Sequence, residues 1–305
     1  MPITPTSKIW MNGQLVDWDD AKIHVLTHTL HYGMGVFEGI RAYETAAGPG
    51  IFRLTEHIER LFNSAAILMM EIPYSVEELI EATKLVVRES GLPSAYIRPI
   101  AYYGYGEMGL NTIPCSVDVA IACWPWGAYL GDDALTKGIR TKISSWVRHD
   151  HNTMPPLAKT VGNYVNSSLA KVEALKAGYE EAIMLNRQGL VSECTGENIF
   201  VSRGDMLITP PGSAGALEGI TQDTVMAICE DLGIECVVSD LSRSDLYLAD
   251  EMFLCGTAAE VSAVNSVDDR PIPCPGPMTT AIGAEYAKVV RGEVEQYQDW
   301  VELVS

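Results

Sequence analysis

The sequence predicts an α+β protein of two domains. Its 305 residues suffice for about two domains of roughly 150 residues each. In the second half, short strand patterns follow one another with tight turns between them, which is typical of antiparallel sheets, and the helical patterns lie apart from them. Residues 125–138 show neither helical nor strand periodicity. We therefore predict a smaller N-terminal domain over 1–124, a linker over 125–138 and a larger C-terminal domain over 139–305.

The N-terminal half opens with a predicted β-hairpin. Asn12-Gly13 separates two apolar stretches, and Asn-Gly suits a type I′ turn. Ser75 and Glu78 have the spacing of a helix capping box, and Gly91 follows the apolar positions of that helix. The other predicted elements are strands over 39–45, 51–54, 95–103 and 117–124, and a helix over 56–70.

The C-terminal half mixes strands with well-marked helices. A helix over 163–177 carries Val165, Leu169 and Val172 on one face, and Gly178 follows its end. A second helix is predicted over 221–232, where Gly233 ends it. The predicted strands are 181–186, 190–194, 199–202, 206–209 and 252–255.

Composition and charge exclude several functions. The chain is 47% hydrophobic and carries a formal net charge of −19, which argues against binding to nucleic acid or to an anionic membrane. This charge does not argue against a small anionic ligand bound by a few cationic side chains. The sequence shows neither an apolar run of the roughly 20 residues that a membrane span needs nor a signal-peptide pattern near its start. These absences predict a cytoplasmic location. Its seven cysteines form no CxxC pair, so we interpret them as reduced core residues.

Common catalytic motifs are missing from the sequence. The dinucleotide-binding glycine fingerprint, the Walker loop, HExxH and the GxSxG elbow are all absent. His24, His28 and His31 have a spacing that would align them on one helical face, where they could hold a metal ion. We interpret them as structural histidines and predict no metal site.

Lys159 is the residue most suggestive of catalysis. It lies between apolar residues just before a predicted helix, in a chain with only nine lysines. An apolar environment disfavours the charged form of a lysine and lowers its pKa, which makes the amine a nucleophile suited to a Schiff base. The alternative interpretation is an ordinary surface lysine before a helix cap.

Other segments supply what a lysine Schiff base with pyridoxal phosphate requires. Glu193 lies in an apolar strand, where a carboxylate needs a cationic partner such as a protonated pyridine nitrogen. Residues 219–221 open a helix whose N–H groups could bind a phosphate, and residues 256–258 follow a strand and could add further donors. Each feature has an ordinary explanation by itself, as a surface glutamate, a helix cap or a turn.

Seven segments together resemble the class IV, fold-type IV pyridoxal-phosphate aminotransferases, and among them the branched-chain amino acid aminotransferases. They are YGMGVFEGIR (32–41), EHIERL (56–61), YIRP (96–99), KTVGNY (159–164), SECTGENIF (192–200), LEGIT (217–221) and GTAAE (256–260). The resemblance covers nearly the whole chain. It implies a two-domain fold like that of D-amino acid aminotransferase, with pyridoxal 5′-phosphate between the domains.

The resemblance also implies the cofactor-binding residues. Lys159 would form the Schiff base and carry the proton, Glu193 would pair with the pyridine nitrogen, and Tyr164 would contact the 3-hydroxyl group. Leu217 would pack on the ring. The phosphate would be held by Arg60, the backbone amides of Ile220 and Thr221, and Thr257.

On the substrate side, the resemblance implies a carboxylate site, an apolar cage and an arginine. Tyr96 and the amides of Thr257 and Ala258 would bind the α-carboxylate. The apolar cage would comprise Phe37, Tyr164, Trp126 and Tyr129, with Tyr32 and Leu110 of the partner subunit. Arg98 would receive the distal carboxylate of glutamate. An aromatic cage buries a branched side chain well, and one arginine at its edge admits the acid.

The implied reaction is ping-pong transamination of L-leucine, L-isoleucine and L-valine with 2-oxoglutarate, which yields 2-oxo acids and L-glutamate. The implied assembly is at least a homodimer. Alternatives of the same fold are a D-amino acid aminotransferase, an R-amine aminotransferase or an aminodeoxychorismate lyase, and the Tyr96 and Arg98 pair argues against them. From other classes, a binding module without activity and a metal-binding protein using the three histidines stay open.

Overall fold

The computed structural model describes residues 3–127, 130 and 134–304. The strands are β1 (Lys8–Met11), β2 (Gln14–Asp17), β3 (Gly35–Phe37), β4 (Ile40–Thr45), β5 (Gly48–Phe52), β6 (Ala95–Tyr103), β7 (Val117–Trp124), β8 (Ile139–Ile143), β9 (Glu181–Leu185), β10 (Val191–Cys194), β11 (Asn198–Arg203), β12 (Met206–Thr209), β13 (Glu235–Val238), β14 (Glu251–Gly256), β15 (Glu260–Val267), β16 (Arg270–Pro271) and β17 (Val301–Leu303). The helices are α1 (His28–Tyr32), α2 (Leu54–Ile67), α3 (Val76–Ser90), α4 (Ala134–Lys137), α5 (Tyr164–Lys176), α6 (Ile220–Leu232), α7 (Arg243–Tyr247) and α8 (Pro277–Val289). None of these helices, which belong to the described part of the chain, is long and apolar enough to cross a membrane.

The chain forms two compact units. Unit 1 contains the described residues of 1–126, 158–162 and 289–305, and unit 2 contains those of 127–157 and 163–288. These units differ from the predicted domains in two segments, 158–162 and 289–305, and they divide the predicted linker between residues 126 and 127. The first joins unit 1 because Val36 forms a β-bridge with Thr160, and the second because β17 pairs with β5. Lys159 therefore packs with unit 1 rather than with the C-terminal residues that follow it.

Unit 1 is one sheet with helices on one face. The strand order is β17-β5-β4-β6-β7-β1-β2, and β3 also pairs with β6. Side chains alternate between the two faces of a strand. Residues such as Ile40, Ile97 and Ile121 form the core with α2 and α3. Their neighbours Tyr96 and Arg98 therefore project from the opposite face.

Several predictions for unit 1 are confirmed. Asn12 and Gly13 have φ values of 48° and 93°, as a type I′ turn requires. Ser75 and Glu78 form both hydrogen bonds of the capping box at the start of α3. The bounds of β6 and β7 agree with the predicted strands. The predicted strand over 51–54 starts and ends too late: β5 spans Gly48–Phe52, since Arg53 adopts a left-handed conformation and α2 begins at Leu54.

Unit 2 contains both antiparallel and parallel strand pairs. Its strand order is β10-β9-β8-β15-β14-β11-β12-β13, and β16 pairs with β15. The predicted antiparallel pairing is confirmed for β9 with β10 and for β11 with β12. However, β8 runs parallel to β9 and β15, and β13 runs parallel to β12. Strands β8 and β13 were not predicted from the sequence. The core contains apolar residues from β9, β11 and β14, among them Ile183, Val201 and Leu254.

Helix α5 is confirmed, but its apolar face is exposed. Val165, Leu169 and Val172 are 63%, 42% and 49% exposed. The buried residues of this helix are instead the small side chains Ser167, Ala170 and Ala174. Unit 2 therefore presents an apolar helix face at its surface.

All seven cysteines are free thiols, as predicted from their spacing. Four of them are buried, namely Cys123, Cys194, Cys229 and Cys255. Cys115, Cys236 and Cys274 are only half-buried, so the interpretation of all seven as core residues is too broad.

Candidate active site

Lys159 is held by its backbone in unit 1. Its N–H donates to Ser64 Oγ at 3.0 Å, and its carbonyl accepts from the N–H of Phe37 at 3.1 Å. Its Nζ lies 4.9 Å from the centroid of the Phe37 ring. The half-buried amine is thus placed against an aromatic ring at the end of β3.

Beside Lys159, Glu38 and Arg60 form a buried ion pair. Arg60 Nε donates to Glu38 Oε1 at 2.7 Å, and Arg60 Nη2 donates to Oε2 at 2.9 Å. His57 Nδ1 lies 2.7 Å from the same Oε2. Burial alone would raise the pKa of Glu38, but the charge of Arg60 and the hydrogen bonds from His57 and Arg60 hold it well below its usual range. Glu38 is therefore ionised at neutral pH.

His57 is neutral in this cluster. Burial lowers its pKa, and although Glu38 opposes that shift, the positive charges of Arg60 and Lys159 lower it further. A neutral imidazole next to a carboxylate carries its proton on the nitrogen that faces the carboxylate. His57 therefore donates its Nδ1–H to Glu38.

The face of the unit 1 sheet opposite the helices carries an aromatic cluster around Arg98. Tyr96 stacks on Trp126 with ring centroids 4.5 Å apart. The Arg98 guanidinium lies 4.7 Å from the Phe37 centroid and donates to the Tyr96 hydroxyl at 3.3 Å. Arg98 Nε is buried without an acceptor among the described residues. This cluster offers an apolar surface with a cation at its centre.

Arg41 and Tyr43 extend the same face. Arg41 is directly opposite Tyr96 in the pairing of β4 with β6, so both side chains project from this face. The Arg41 guanidinium lies 4.9 Å from the centroid of the Tyr43 ring. No role for Arg41 was predicted from the sequence.

In unit 2, Glu193 is held by a buried arginine. Arg148 Nη2 lies 2.5 Å from Glu193 Oε1, and the N–H of Leu217 donates to Oε2 at 3.0 Å. Arg148 also donates to the carbonyl of Gly215 and to Ser167 Oγ, both at 3.2 Å. Arg148 was not predicted from the sequence, because a single arginine in an irregular segment gives no signal of its partner.

A second carboxyl group, Glu197, lies in the turn after β10. Burial and the charge of Glu181 raise the pKa of Glu197 to about 8, although the positive charge of Lys171 opposes the shift. Glu181 itself accepts from Lys171 Nζ and from Thr195 Oγ1, both at 2.5 Å. This environment disfavours a second negative charge beside Glu193.

The start of α6 supplies Ile220 and Thr221. The first N–H groups of a helix have no acceptor within it and attract an anion. Gly219 precedes them, and a Cβ on it would overlap Asn198 Oδ1. Asn198 Nδ2 in turn donates to the carbonyl of Leu217 at 2.9 Å. Gly219 therefore packs closely against Asn198, the first residue of β11. This contact holds the start of α6 beside the strand that follows Glu193.

Thr257 and Ala258 lie in the three-residue turn between β14 and β15. Gly256 pairs with Glu260 at the base of this turn. Tyr164 is the first residue of α5 and is half-buried. All the predicted cofactor residues other than Arg60 and Lys159 thus belong to unit 2.

Two predicted substrate residues are exposed, and a third lies outside the described residues. Tyr32 and Leu110 are exposed, at 38% and 86% of their surface. Tyr129 lies outside the described part of the chain.

The three histidines do not share one helical face. Helix α1 begins at His28, so His24 is not on a common helix with the other two. One ring nitrogen of each histidine contacts a backbone group. His24 Nδ1 accepts from the N–H of Leu26 at 3.0 Å. His28 Nε2 lies 2.8 Å from the carbonyl oxygen of Gly109, and His31 Nε2 lies 2.9 Å from the carbonyl oxygen of Val25. Within residues 3–127, 130 and 134–304, no three His, Cys, Asp or Glu side chains are grouped to hold a metal ion.

Comparison with known proteins gives the family of the chain. A family model described as amino-transferase class IV matches residues 35–267. The chain is 48% identical over 299 residues to the branched-chain-amino-acid aminotransferase of Pseudomonas aeruginosa, with 97% of each chain covered. Its identity to the Escherichia coli K12 enzyme of the same name is 46% over 301 residues, again with 97% of each covered. The chain therefore belongs to the class IV aminotransferases.

Solved structures confirm the predicted α+β fold of this family. The Escherichia coli branched-chain amino acid aminotransferase superposes with a TM-score of 0.96 at 45% identity, covering 99% of this chain and 100% of that one. The branched-chain amino acid aminotransferase of Thermobaculum terrenum, solved in its PLP-form, gives a TM-score of 0.93 at 34% identity, covering 98% of this chain and 99% of that one.

Proposed function

We propose that the protein transfers the amino group of L-leucine, L-isoleucine or L-valine to 2-oxoglutarate, with pyridoxal 5′-phosphate as cofactor. The observation that carries this proposal is the guanidinium of Arg98 within the aromatic cluster of Phe37, Tyr96 and Trp126. That surface suits a branched apolar side chain, and its one cation suits the second carboxylate of 2-oxoglutarate. Relatives that match nearly the whole chain are named branched-chain-amino-acid aminotransferases, which supports the proposed amino donors.

The residues present fit the cofactor. A lysine amine, a buried carboxylate and the open N-terminus of a 13-residue helix are the groups that an aldehyde, a pyridine nitrogen and a phosphate would bind. We propose that Lys159 binds the aldehyde carbon and Glu193 the ring nitrogen. Tyr164 would contact the 3-hydroxyl, and Leu217 would pack on the ring. The phosphate would be held by Arg60, the amides of Ile220 and Thr221, and Thr257.

The cofactor supplies an electrophilic carbon and an electron sink when it is bound. Lys159 would then be the general base that takes the proton from Cα of the amino acid and the acid that delivers it to the cofactor carbon that Lys159 had bound. Glu193, held in place by Arg148, keeps the ring nitrogen protonated. Because the two substrates use one site in turn, the kinetics are ping-pong.

The α-carboxylate of the substrate would be bound by the Tyr96 hydroxyl and by the amides of Thr257 and Ala258. The apolar side chain would pack against Phe37, Tyr164, Trp126 and Tyr129. Tyr32 and Leu110 would come from the partner subunit, and their exposure in the single chain is consistent with this role.

Arg98→Met is expected to lower kcat/KM for one amino acceptor, 2-oxoglutarate, much more than for an acceptor without a second carboxylate. We expect kcat/KM for 2-oxoglutarate to fall by about 10–100-fold, because a charged hydrogen-bond partner of the distal carboxylate is lost. With 4-methyl-2-oxopentanoate, an acceptor without that carboxylate, kcat/KM should change less than about threefold. Steady-state kinetics with L-valine as donor give both values. An equal loss with both acceptors would contradict the role of Arg98.

Gly39→Ala is expected to displace the Tyr96 hydroxyl. A Cβ at position 39 would overlap that oxygen. We expect kcat/KM for L-leucine to fall by about tenfold, since the hydroxyl no longer reaches the α-carboxylate. The matched control is Gly196→Ala, whose Cβ would meet no atom within 4 Å.

A double variant tests the cause of that loss. In the Tyr96→Phe background the clashing oxygen is absent. Gly39→Ala should therefore lower kcat/KM for L-leucine much less than it does in the wild type. An equal loss of kcat/KM in the two backgrounds would show that Gly39 acts through another contact.

We further propose at least a homodimer in the cytoplasm. Apolar side chains exposed in two segments of unit 1 offer a surface for a second copy: Ile23, Val25, Leu26, Leu30, Tyr32, Tyr105, Met108, Leu110 and Ile113. Many exposed apolar side chains in neighbouring segments are typical of interfaces. His28 Nε2 and the Gly109 carbonyl link the two segments. A reducing cytoplasm would keep the cysteines as thiols.

A further inference from the structure

The carboxylate of Glu38 lies at a break in the unit 1 sheet. Strand β6 pairs with β4 through Ile97 and with β3 from Ile100 onwards, and Pro99 lies between these two stretches. Proline has no N–H to give to a neighbouring strand, so its position tolerates the break. The N–H of Glu38 donates to the carbonyl of Pro99 at 2.9 Å. The backbone at the break is therefore held in place.

The side chain of Glu38 is fully buried, and both of its oxygens accept hydrogen bonds. Oε1 accepts from Arg60, and Oε2 accepts from Arg60, His57 and the N–H of Gly39. Burial of a charge is costly, and an apolar group of similar size often stabilises a fold equally well. We therefore expect the carboxylate of Glu38 to have a role other than stabilising the fold.

The hydrogen bonds fix the orientation of the Arg60 guanidinium. A guanidinium is planar and rigid, and Glu38 binds the edge formed by Nε and Nη2. This contact determines where the N–H groups of Nη1 point. His57 adds a hydrogen bond but no charge, because it is neutral, so the ion pair as a whole is neutral. Arg60 would then recognise a phosphate through the direction of its N–H groups more than through excess charge.

We propose that Glu38 and His57 are positioning residues for Arg60, which they hold in the orientation that receives the cofactor phosphate. The inference rests on the proposed function, in which Arg60 binds that phosphate. It adds two residues that act through Arg60.

The test compares two ligands that differ only in the phosphate. Apo forms of the wild type and of Glu38→Gln are titrated with pyridoxal 5′-phosphate and with pyridoxal, and binding is followed by absorbance. The glutamine keeps the shape but loses the charge and one acceptor oxygen. We expect affinity for pyridoxal 5′-phosphate to fall by about tenfold and affinity for pyridoxal to change less than about twofold. The 31P resonance of the bound phosphate should also shift in the variant.

Glu251→Gln is the matched control. Glu251 is another buried glutamate, and it accepts hydrogen bonds from the N–H of Met278 and from the N–H and hydroxyl of Thr279 at the start of α8. We expect no difference between the two ligands in this variant. An equal loss with both ligands in Glu38→Gln, or no loss with either, would overturn the proposal.

A second variant covers the case in which Glu38→Gln does not fold. His57→Phe keeps the ion pair and the ring shape but removes the hydrogen bond from Nδ1 to Glu38. We expect it to weaken pyridoxal 5′-phosphate binding by about threefold without affecting pyridoxal, and the absence of this selective loss would overturn the proposal. A wild-type protein that binds neither ligand would contradict the proposed function instead.

Discussion

Lys159→Ala is expected to lower kcat for L-leucine by at least about 10³-fold, because it removes both the amine that binds the cofactor and the base that moves the proton. The fold should persist. The backbone contacts of Lys159 with Ser64 and Phe37 do not depend on its side chain, which is only half-buried. Single-turnover measurements with added pyridoxal 5′-phosphate give the rate of the half-reaction.

Two controls separate chemistry from folding in this experiment. Lys22→Ala removes an exposed lysine and should leave kcat unchanged. Methylamine added to Lys159→Ala should restore part of the rate, because a free amine can take the proton that the side chain no longer accepts. If Lys159→Ala retained more than about a tenth of the wild-type kcat, Lys159 would not be the base.

Glu193→Gln is expected to lower kcat by about 10²–10³-fold, the range found when one preorganised electrostatic partner is removed from an active site. The amide cannot stabilise a protonated ring nitrogen as a carboxylate does. Cofactor binding should weaken less than turnover, since Lys159 and the phosphate contacts remain. The visible spectrum of the variant and its kcat, measured at the same cofactor saturation, distinguish these effects.

The same variant also tests the role of Arg148. Loss of the Glu193 charge leaves the buried guanidinium of Arg148 without its partner, which typically costs about 3–5 kcal/mol of folding free energy. The double variant Glu193→Gln with Arg148→Met should recover most of that stability in urea unfolding but none of the turnover. Recovery of turnover by the double variant would contradict the assignment of Glu193.

Local patterns in the sequence predicted much of the fold. The Asn12-Gly13 hairpin and the Ser75 capping box depend on neighbouring residues, and both are confirmed. The parallel strands β8 and β13 were missed because their partners are set by tertiary contacts and not by a turn. The exposed apolar face of α5 has a similar cause. Periodicity shows that a helix has two faces, but packing decides which of them is buried.

The candidate site was predicted in part. Lys159 and Glu193 are conspicuous because each is a charged residue in an apolar segment. Glu38, His57 and Arg148 were not singled out, since their roles depend on partners brought close only by folding. One signal was present in the sequence. Glu38 lies two residues before Ile40 in an otherwise apolar strand pattern, where a buried carboxylate requires a cationic partner.

The visible spectrum of the purified protein with bound cofactor, recorded before and after L-leucine and then after 2-oxoglutarate, tests the proposed transamination most directly. We predict a cofactor band that L-leucine converts to the pyridoxamine phosphate form and that 2-oxoglutarate restores. A band that ignores L-leucine but responds to D-alanine or to an R-amine would contradict the proposed substrates. Failure to bind pyridoxal 5′-phosphate at all would contradict the proposed enzyme.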